Sequence, residues 1–416
     1  MFEYYDLFIA GLAASLAWPT LFFPESEPSI AFIGSLGAYA ATNIARPVGG
    51  LAFGHLGDKA GRKLVLVWSL ALTGGGIFAT AVLPEYRSIG IVAPALLILF
   101  RLLTGIGLGA EWGSAATLVS EFAARSRWRA FWTSWIQNMS IIGSTLSALA
   151  FTIARAYLTQ TQFLNYGWRY IFLVGVLGLA VAGFVRYGVN ESPIFQEAQK
   201  KRALAKSPTR LLLKEHWKTL IVLMLAVVPP IQFTSFILSP YAVAYLSALK
   251  VSALTITSMI TLSGLVALAV GILTGIIAGY TRRKRIILII MSALQLILIF
   301  PFFILLKQGA EVGNVALMLG MITLFQCIRT SGQAVVPAVL TEQFELRDRA
   351  TGSGFAYQMS TFLAGGLILF FVMDPLQKVY GTVGVASYFA VIWIILCALA
   401  VVLPALFIRD KTELSM

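Results

Sequence analysis

The chain has 416 residues, of which 58% are hydrophobic and only 12% are charged. This charged share is about half that of an ordinary soluble domain, so the composition excludes a soluble globular or a disordered protein. The formal net charge of +13 would suit nucleic-acid binding if the bases were gathered in one polar domain, but the chain has no long polar domain.

Apolar runs of about 20 residues, which is the length that crosses a bilayer as a helix, occur twelve times. We number them as spans one to twelve. Their expected limits are 1–24, 30–56, 64–83, 89–120, 131–155, 168–189, 217–246, 253–280, 285–306, 313–341, 352–373 and 384–408. The sequence therefore predicts an all-α membrane protein with twelve transmembrane helices, in which the function resides in the helix bundle.

The 31 Lys and Arg residues are divided unevenly between the two sides of this bundle. The loops after even-numbered spans, with the C-terminus, carry 22 of them, the loops after odd-numbered spans carry 6, and 3 lie inside spans. By the positive-inside rule, the even-numbered loops and both termini are expected in the cytoplasm, next to anionic lipid. The basicity thus indicates a multi-pass plasma-membrane protein rather than a nucleic-acid-binding one.

Span one carries two acids, Glu3 and Asp6, which are three residues apart and share one helix face. Charged groups inside a bilayer are costly and usually mark function, so both are candidate proton carriers. The alternative is that both lie in interfacial water. Because Glu3 stands almost at the N-terminus, Asp6 is expected near the cytoplasmic end of the span. Either the true start lies upstream of Met1 or the first helix is short.

A short glycine-rich segment follows span two, with the sequence Gly54-His-Leu-Gly-Asp58-Lys-Ala-Gly61-Arg62-Lys63. We expect a hairpin loop that joins antiparallel neighbours, with its charges at a membrane surface. Asp58 is an acid among bases, next to glycines that permit close helix approach. This combination indicates a specific contact rather than simple solvation.

Span four contains Arg101, followed by glycines at four-residue intervals that would let helices pack closely. Glu111 lies ten residues further on and is a second candidate proton carrier. A structural ion pair between Glu111 and Arg46 of span two is the alternative. The glycines do not form a dinucleotide-binding loop, because they lie in an apolar span without a preceding strand.

The longest charged stretch follows span six, and we interpret residues 191–216 as a cytoplasmic linker between two halves, 1–190 and 217–416. A shift of 221 residues relates basic and acidic positions in the two halves, which indicates an internal repeat. The alternative is that cytoplasmic loops are basic in any case. The shift places Gly54 on Gly275, Arg62 on Arg283 and Glu121 on Glu342, and Arg129 lands one position beyond Arg349.

Arg329 lies near the middle of span ten within a polar run. A fixed cation that faces a cavity suits a carboxylate, because a guanidinium binds that group in a bidentate manner. The alternative is an arginine that donates to backbone carbonyls in a broken helix.

Other polar side chains inside spans are candidates for lining a solute cavity, although each is more often a helix–helix hydrogen bond. These candidates are Arg101, Gln137, Asn138, Gln232, Tyr241, Tyr245, Tyr357 and Gln358.

The two cysteines, Cys327 and Cys397, lie in separate spans, and there are only two histidines. No disulfide framework, metal site or cofactor is therefore expected. A membrane-embedded enzyme would need clustered metal ligands or a nucleophile with a base, and neither pattern occurs in the sequence.

Several short motifs are spread over essentially the whole chain. They are Glu3-Tyr-Tyr-Asp6, Arg46-Pro-Val-Gly-Gly, the segment Gly54–Lys63, Arg101 to Glu111-Trp, Gly167-Trp-Arg169, Glu191-Ser-Pro193-Ile-Phe, and Glu342 with Arg349-Ala-Thr-Gly352. Together they resemble the major facilitator superfamily, in particular its metabolite:proton symporter branch. That branch includes permeases for α-ketoglutarate, citrate, shikimate and proline/betaine.

The resemblance implies a fold of two pseudo-symmetric six-helix halves. It also implies that Asp6 faces Arg101, and that charges at the cytoplasmic loops latch the halves together when that side is closed. The alternative for these charges is a solvated basic face. The implied gate residues are Gly54, Asp58, Gly61, Arg62, Lys63, Glu121, Arg129, Glu191, Arg283, Glu342 and Arg349.

The function that the resemblance implies is proton-coupled symport of a small organic acid or zwitterion by alternating access, carried out by a monomer. Within transport, a uniporter or an anion exchanger is the alternative. Span five lacks the Gly-Pro motif typical of drug:proton antiporters, which argues against export. A transport-like nutrient sensor would share these spans, but a long soluble signalling domain that would support it is absent from the sequence.

Overall fold

The computed structural model describes residues 2–26, 28–188, 190–201, 207–227, 232, 234–235, 238, 242–364, 394–408 and 410. Over these ranges the regular structure is helical, without a strand. Within them, seven helices are long and apolar enough to cross a membrane by length and composition. These are Arg62–Ala81, Val92–Phe122, Arg129–Tyr157, Gln160–Phe184, Ala253–Thr281, Lys284–Val312 and Val315–Gln343, which correspond to spans three to six and eight to ten.

The remaining spans are interrupted, carry charges near their ends, or lie partly outside the described residues. Span one consists of Phe2–Leu16 and Trp18–Phe22, and span two is Pro28–Ala60. Span seven begins with Trp217–Val222 and ends with Ala242–Ala248, span eleven begins with Arg349–Thr361, and span twelve includes Ile394–Phe407. Within the described residues, helices occupy at least part of each of the twelve predicted spans, and the predicted all-α architecture is confirmed.

The prediction of a hairpin loop over Gly54–Lys63, after span two, is wrong in its extent. Span two continues as a helix to Ala60, and Gly61 alone separates it from span three, which starts at Arg62. Gly61 has a φ of +111°, a conformation that glycine adopts without steric cost. Gly54 remains helical because it packs against the opposite half: a Cβ atom there would lie 2.8 Å from Cα of Thr351.

Small residues bring spans two and four together at backbone distance. A Cβ atom on Gly105 would overlap the carbonyl oxygen of Thr42, and one on Gly109 would overlap that of Arg46. The close packing predicted from the glycine spacing in span four is confirmed. Because no side chain separates the helices here, Arg46 and Arg101 are held on a rigid pair of spans.

Within the described residues the two halves meet mainly along four pairs of spans: two with eleven, four with eleven, five with eight, and five with ten. Spans four and ten, and spans one and seven, meet over smaller areas. At the centre of this interface, Oγ1 of Thr341 donates to Oγ of Ser120 at 3.1 Å. These two residues are themselves 221 positions apart, so positions related by the predicted repeat are in direct contact. The limits of the halves and of the linker stay a prediction; the linker holds the short helices Pro193–Lys200 and Pro208–Glu215.

The outer surface of the bundle is apolar. Phe184 is 84% exposed, Leu177 69% and Ile297 67%. Exposed apolar residues in such number are the surface that a bilayer covers. The charged groups lie instead in the interior and at the ends of the bundle, and we call the end that bears the loops after even-numbered spans the basic end.

Candidate functional site

Asp6 and Arg101 form an ion pair in the interior of the first half. Nη1 of Arg101 lies 3.1 Å from Oδ2 of Asp6, and both side chains are fully buried. Nη2 of Arg101 donates to Oγ1 of Thr80 at 2.8 Å, and the guanidinium lies 5.7 Å from the ring of Phe172. The structure thus brings together the two residues that the family motif pairs, in a site without water access.

Asp6 lies deeper in the bundle than expected. The hydroxyl of Tyr4 donates to Oε1 of Gln137 at 3.3 Å, and Gln137 lies about 12 Å along the span-five helix from its start at Arg129. Asp6 is therefore deeper still, and the expectation that it lies near the end of the bundle is wrong, because span one is already inside the bundle at Tyr4. Glu3 is also buried, and Glu111 is half-buried.

A layer of aromatic and amide side chains joins the halves near this depth. The rings of Trp112 and Tyr357 stack with their centroids 3.8 Å apart and their planes 5° apart. Nε1 of Trp112 donates to Oε1 of Gln137 at 3.2 Å, while Nε2 of Gln137 donates to the hydroxyl of Tyr357 at 3.2 Å. These contacts connect spans four, five and eleven, so separating the halves here would break the contacts of Tyr357 with Trp112 and Gln137.

Arg46 and Gln358 extend the layer. Nε of Arg46 donates to Oε1 of Gln358 at 2.7 Å. Nε2 of Gln358 donates to the carbonyls of Leu108 and Gly109 at 3.3 Å and 3.2 Å. Arg46 thus has a neutral partner from the other half of the chain, and the predicted pairing of Arg46 with Glu111 stays a prediction.

A pocket lies between the halves, on the far side of this layer from the basic end. It encloses about 310 Å³ with its open mouth included, but the room left for water is only about 10 Å³. In this arrangement the pocket has room for about one water molecule and not for a metabolite. The described polar residues that line it are Ser144, Ser147, Ser235, Gln326 and Arg329. The described apolar ones are Phe8, Leu12, Ala148, Leu238 and Ile260.

Arg329 enters this pocket from the middle of span ten and is only 2% exposed. Its Nη1 donates to Oγ of Ser235 at 2.9 Å, and Nε2 of Gln333 donates to the same oxygen at 3.2 Å. Among the described residues, Nε of Arg329 and Oε1 of Gln333 have no hydrogen-bond partner. The helix Val315–Gln343 is continuous here, so the alternative of an arginine in a broken helix is wrong.

The other predicted cavity residues occupy different environments. Asn138 is buried beside Gly271 of span eight, and its amide atoms lack a hydrogen-bond partner within the described structure. Gln232 is buried as well. Tyr245 packs against Phe303 with ring centroids 5.8 Å apart, away from the described pocket lining. Tyr241 lies outside the described residues.

Asp58 links the two halves at the basic end. Its carboxylate accepts the backbone N–H groups of Ala350 at 3.2 Å and Thr351 at 2.8 Å, and the hydroxyl of Thr351 at 2.7 Å. The acid therefore caps the first turn of span eleven from the other half of the protein, where the helix dipole favours a negative charge. Arg62 holds the same carboxylate at 3.2 Å. The specific contact predicted from the sequence is present.

Two further acids each bind cations at the basic end. Oε1 of Glu121 lies 3.0 Å from Arg62 and 3.6 Å from Arg349. Oε1 of Glu342 lies 2.6 Å from Arg129 and 3.0 Å from Lys284. All of these side chains are buried. Since the charges are buried and paired across the halves, the alternative of a solvated basic face does not describe them.

One predicted gate residue is replaced by its neighbour. Arg283, at the shift of 221 from Arg62, is exposed at the start of span nine. Lys284, one position later, is buried and contacts Glu342. Two residues, Arg282 and Arg283, separate spans eight and nine, whereas Gly61 alone separates spans two and three. A strict shift of 221 residues therefore selects Arg283 instead of Lys284.

Glu191 and its neighbours fix the turn at Gly61. Oε2 of Glu191 accepts the backbone N–H of Lys63 at 3.1 Å, at the start of span three. Phe195 follows on the next helix, and its ring lies 4.3 Å from the guanidinium of Arg62. This motif after span six therefore orients Arg62 toward Asp58 and Glu121.

Glycines make the same kind of close contact in both halves. The contact of Gly54 in span two with Thr351 in span eleven is matched by Gly275 in span eight, where a Cβ atom would overlap Oγ of Ser134 in span five. A Cβ atom on Gly113 would lie 2.6 Å from Cα of Gly354. The basic end is thus closed by helix backbones in contact, whereas the pocket lies beyond them.

Sequence reasoning missed the serines and Gln326 that line the pocket, as well as Thr80 beside Arg101. The serines at 144 and 147 lie three residues apart on one face of span five, which was an available signal. A serine in a membrane span usually serves helix packing, however, so that signal alone could not distinguish a pocket.

The chain matches the sequence profile of the Major Facilitator Superfamily over residues 7–369. It is 32% identical over 398 residues to the inner membrane metabolite transport protein YhjE of Escherichia coli, covering 93% of this chain and 88% of that protein. It is 29% identical to the shikimate transporter of Escherichia coli, with coverages of 88% and 83%. It is 28% identical to the proline/betaine transporter of Salmonella typhimurium, with coverages of 87% and 73%.

Solved structures match in fold. A crystal structure of a D-xylose-proton symporter has a TM-score of 0.72 at 18% identity, covering 99% of this chain and 96% of that one. A partially occluded inward-open structure of the xylose transporter XylE from Escherichia coli has a TM-score of 0.70 at 15% identity, with coverages of 100% and 98%.

Proposed function

The chain belongs to the major facilitator superfamily, and from this premise we propose that it is a proton-coupled symporter which imports a small organic acid or zwitterion by alternating access. In this proposal the basic end and both termini face the cytoplasm, and the protein works as a monomer in the plasma membrane. The partners are the solute, protons and membrane lipid.

The buried pair of Asp6 and Arg101 is the observation that carries proton coupling. An ion pair without water access has a high desolvation cost, which its own attraction and the Thr80 hydrogen bond must offset. Protonation of Asp6 would remove that attraction and leave Arg101 to find another partner. A proton can therefore change which contacts hold span one against span four, and this is what coupling to a conformational cycle requires. Glu3 and Glu111 are the further candidate proton carriers.

The contacts at the basic end support alternating access. Asp58, Glu121 and Glu342 bind groups from the opposite half, and these contacts would be lost if the halves separated at this end. The pocket with Arg329 lies on the other side of the Trp112–Tyr357 layer. We assign this arrangement to the state in which the cytoplasmic side is closed.

The solute class is supported by the relatives and by the pocket. One relative is a shikimate transporter and another a proline/betaine transporter, so an acid and zwitterions are carried by proteins of similar sequence. Arg329 supplies a buried cation for a carboxylate, and an arginine fork suits that group better than a lysine would.

The test is uptake into proteoliposomes that contain the purified protein. Labelled carboxylates and betaines are offered with an inward proton gradient and without one. Accumulation that depends on the gradient, together with alkalinisation outside the vesicles, is expected for at least one solute. Accumulation of a solute that is indifferent to the proton gradient and to a protonophore would contradict symport.

Anion exchange is the second candidate, favoured by one observation: no described acid is paired with Arg329. A bound anion would then be needed in both access states. An exchanger would move labelled solute only against solute on the opposite side, and net uptake with a proton gradient would be absent.

A further inference from the structure

Spans five and ten contribute chemically different groups to the pocket beside Arg329, and this difference selects among the solutes of the proposed function. We propose that the solute is a small hydroxylated monocarboxylate rather than a betaine, with Ser144 and Ser147 as the residues that recognise its hydroxyl groups. This inference rests on the proposed transport function and narrows the solute of that same site.

From span ten, Arg329 offers N–H donors to a carboxylate in the pocket. Arg329 is the only charged residue among the described residues of the lining. Its Nη1 donates to Oγ of Ser235, while its Nε has no hydrogen-bond partner in the described structure. A guanidinium buried without a counter-charge is costly, and one carboxylate would compensate it. A single cation suits a single anionic group.

Span five contributes acceptors rather than donors, through Ser144 and Ser147. The hydroxyl of Ser144 donates to the carbonyl of Ile141 at 2.9 Å, and that of Ser147 donates to the carbonyl of Ser144 at 2.7 Å. A serine hydroxyl has one hydrogen to donate and two lone pairs. Because both hydrogens are engaged within the helix, each oxygen is available in the pocket as an acceptor. They therefore match solute O–H groups.

The described lining does not suit a quaternary ammonium. It contains no carboxylate, and Phe8 is its one aromatic side chain. Such cations are held by several aromatic faces or by an acid. A betaine also has no N–H or O–H to donate, so Ser144 and Ser147 would lose their water without gaining a hydrogen bond, and that loss weakens binding.

Binding to the purified protein in detergent tests this solute preference independently of proton coupling. Isothermal titration calorimetry compares three matched pairs: shikimate with 1-cyclohexenecarboxylate, gluconate with hexanoate, and lactate with propionate. Glycine betaine and proline are measured beside them. At least one hydroxylated acid should bind about tenfold or more tightly than its partner without hydroxyl groups, and tighter than both zwitterions.

Three variants assign the preference to residues. The double variant Ser144→Ala/Ser147→Ala should reduce the ratio within the responding pair toward one while leaving the Kd of the acid without hydroxyl groups unchanged. Arg329→Gln should weaken both acids of the pair together. Ser69→Ala is the matched control, because its buried hydroxyl also donates to a carbonyl three residues earlier, Leu66 at 3.0 Å, but lies in span three away from the pocket.

Equal binding within every pair, tighter binding of a zwitterion, or no binding of any hydroxylated acid would overturn this assignment. So would a ratio that survives the double serine variant. Failure of symport is a separate result: the hydroxylated acid would bind with these preferences, yet its uptake into vesicles would not respond to a proton gradient.

Discussion

Glu121 and Glu342 hold equivalent positions in the two halves, and each binds one cation from its own half and one from the other. Glu121 contacts Arg62 of its own half at 3.0 Å and Arg349 of the second half at 3.6 Å. Glu342 contacts Lys284 of its own half at 3.0 Å and Arg129 of the first half at 2.6 Å.

This exchange of partners follows from the pseudo-symmetry of the interface. Ser120 and Thr341, which precede the two acids, touch each other at 3.1 Å, so the acids lie on either side of the local symmetry axis. A separation of the halves at this end would break the contacts of both acids with the opposite half at once. Such a paired arrangement makes the closed state cooperative, because neither contact can be lost without straining the other.

The first prediction concerns Asp6. Asp6→Asn should abolish accumulation driven by a proton gradient while solute exchange is retained, because exchange does not need to release the proton. Glu111→Gln is the control for the competing carrier, and both variants are compared in the same proteoliposome assay. Normal gradient-driven accumulation by Asp6→Asn would transfer the role to Glu111.

The second prediction concerns Asp58. Asp58→Asn leaves Arg62 with one carboxylate fewer and weakens the cap on span eleven, which should destabilise the closed basic end by about 3 kcal/mol. Spin labels at the exposed positions Lys59 and Arg283 should then show longer distances in double electron–electron resonance.

The control for this variant is Glu345→Gln, since Glu345 forms a partly exposed pair with Arg347 near the same end. Exposed pairs contribute little, so the distance distribution should stay that of the wild type. An unchanged distribution in Asp58→Asn would mean that Asp58 caps span eleven without controlling access.

The third prediction concerns topology. The asymmetry of 22 basic residues against 6 places Ser207 in the cytoplasm and Ser26 outside. Single cysteines at these positions, in a background without Cys327 and Cys397, should react with a membrane-impermeant maleimide from opposite sides of intact cells. Labelling of both from outside would overturn this topology and with it the cytoplasmic position assigned to the gate.

The fold was predictable from sequence because hydrophobic length and charge asymmetry act locally. The end of span two was not predictable, since the segment that contains Gly54 and Asp58 is rich in glycine and charge, as loops are. Their helical state depends on contacts with Ala350 and Thr351, almost 300 residues away in the chain. A single sequence carries no signal for such contacts, so composition alone favoured a loop.

The fourth prediction concerns Asp348, which lies just before span eleven and whose Oδ2 is 2.6 Å from Nδ1 of His216. Burial raises the pKa of Asp348, and the His216 hydrogen bond offsets only part of this effect. The folded protein therefore holds this proton more tightly than the unfolded chain does. Stability should rise as pH falls through the raised folded pKa.

Thermal unfolding in detergent between pH 7 and pH 4 measures this effect. The Tm of the wild type should increase relative to that of Asp348→Asn toward the acidic end, because asparagine does not titrate. A Tm difference that is constant over this range would show that Asp348 has the same proton affinity in both states.

The candidate site was predictable where a residue is costly in a membrane. Arg329, Arg101 and Asp6 were found because each charge needs a partner or a cavity. Ser235 and Ser144 were not, since a serine in a span costs little and has many roles. The partner of Arg62 in the repeat, Lys284, was missed by one position because a loop can shift its bases without changing the helices.

The last prediction concerns Arg329. Arg329→Lys keeps the positive charge but loses the planar fork, so it should weaken binding of a carboxylate solute while the protein still folds. Arg329→Gln also loses the charge and should weaken binding further. Half-saturation in proteoliposome uptake is the measurement, with size-exclusion profiles to verify folding. Arg329 contacts Ser235, which its helix neighbour Gln333 also holds, so the local structure has a second support when the guanidinium is removed. A structural arginine would therefore leave half-saturation unchanged in both variants, whereas a solute ligand would raise it in the order wild type, lysine, glutamine.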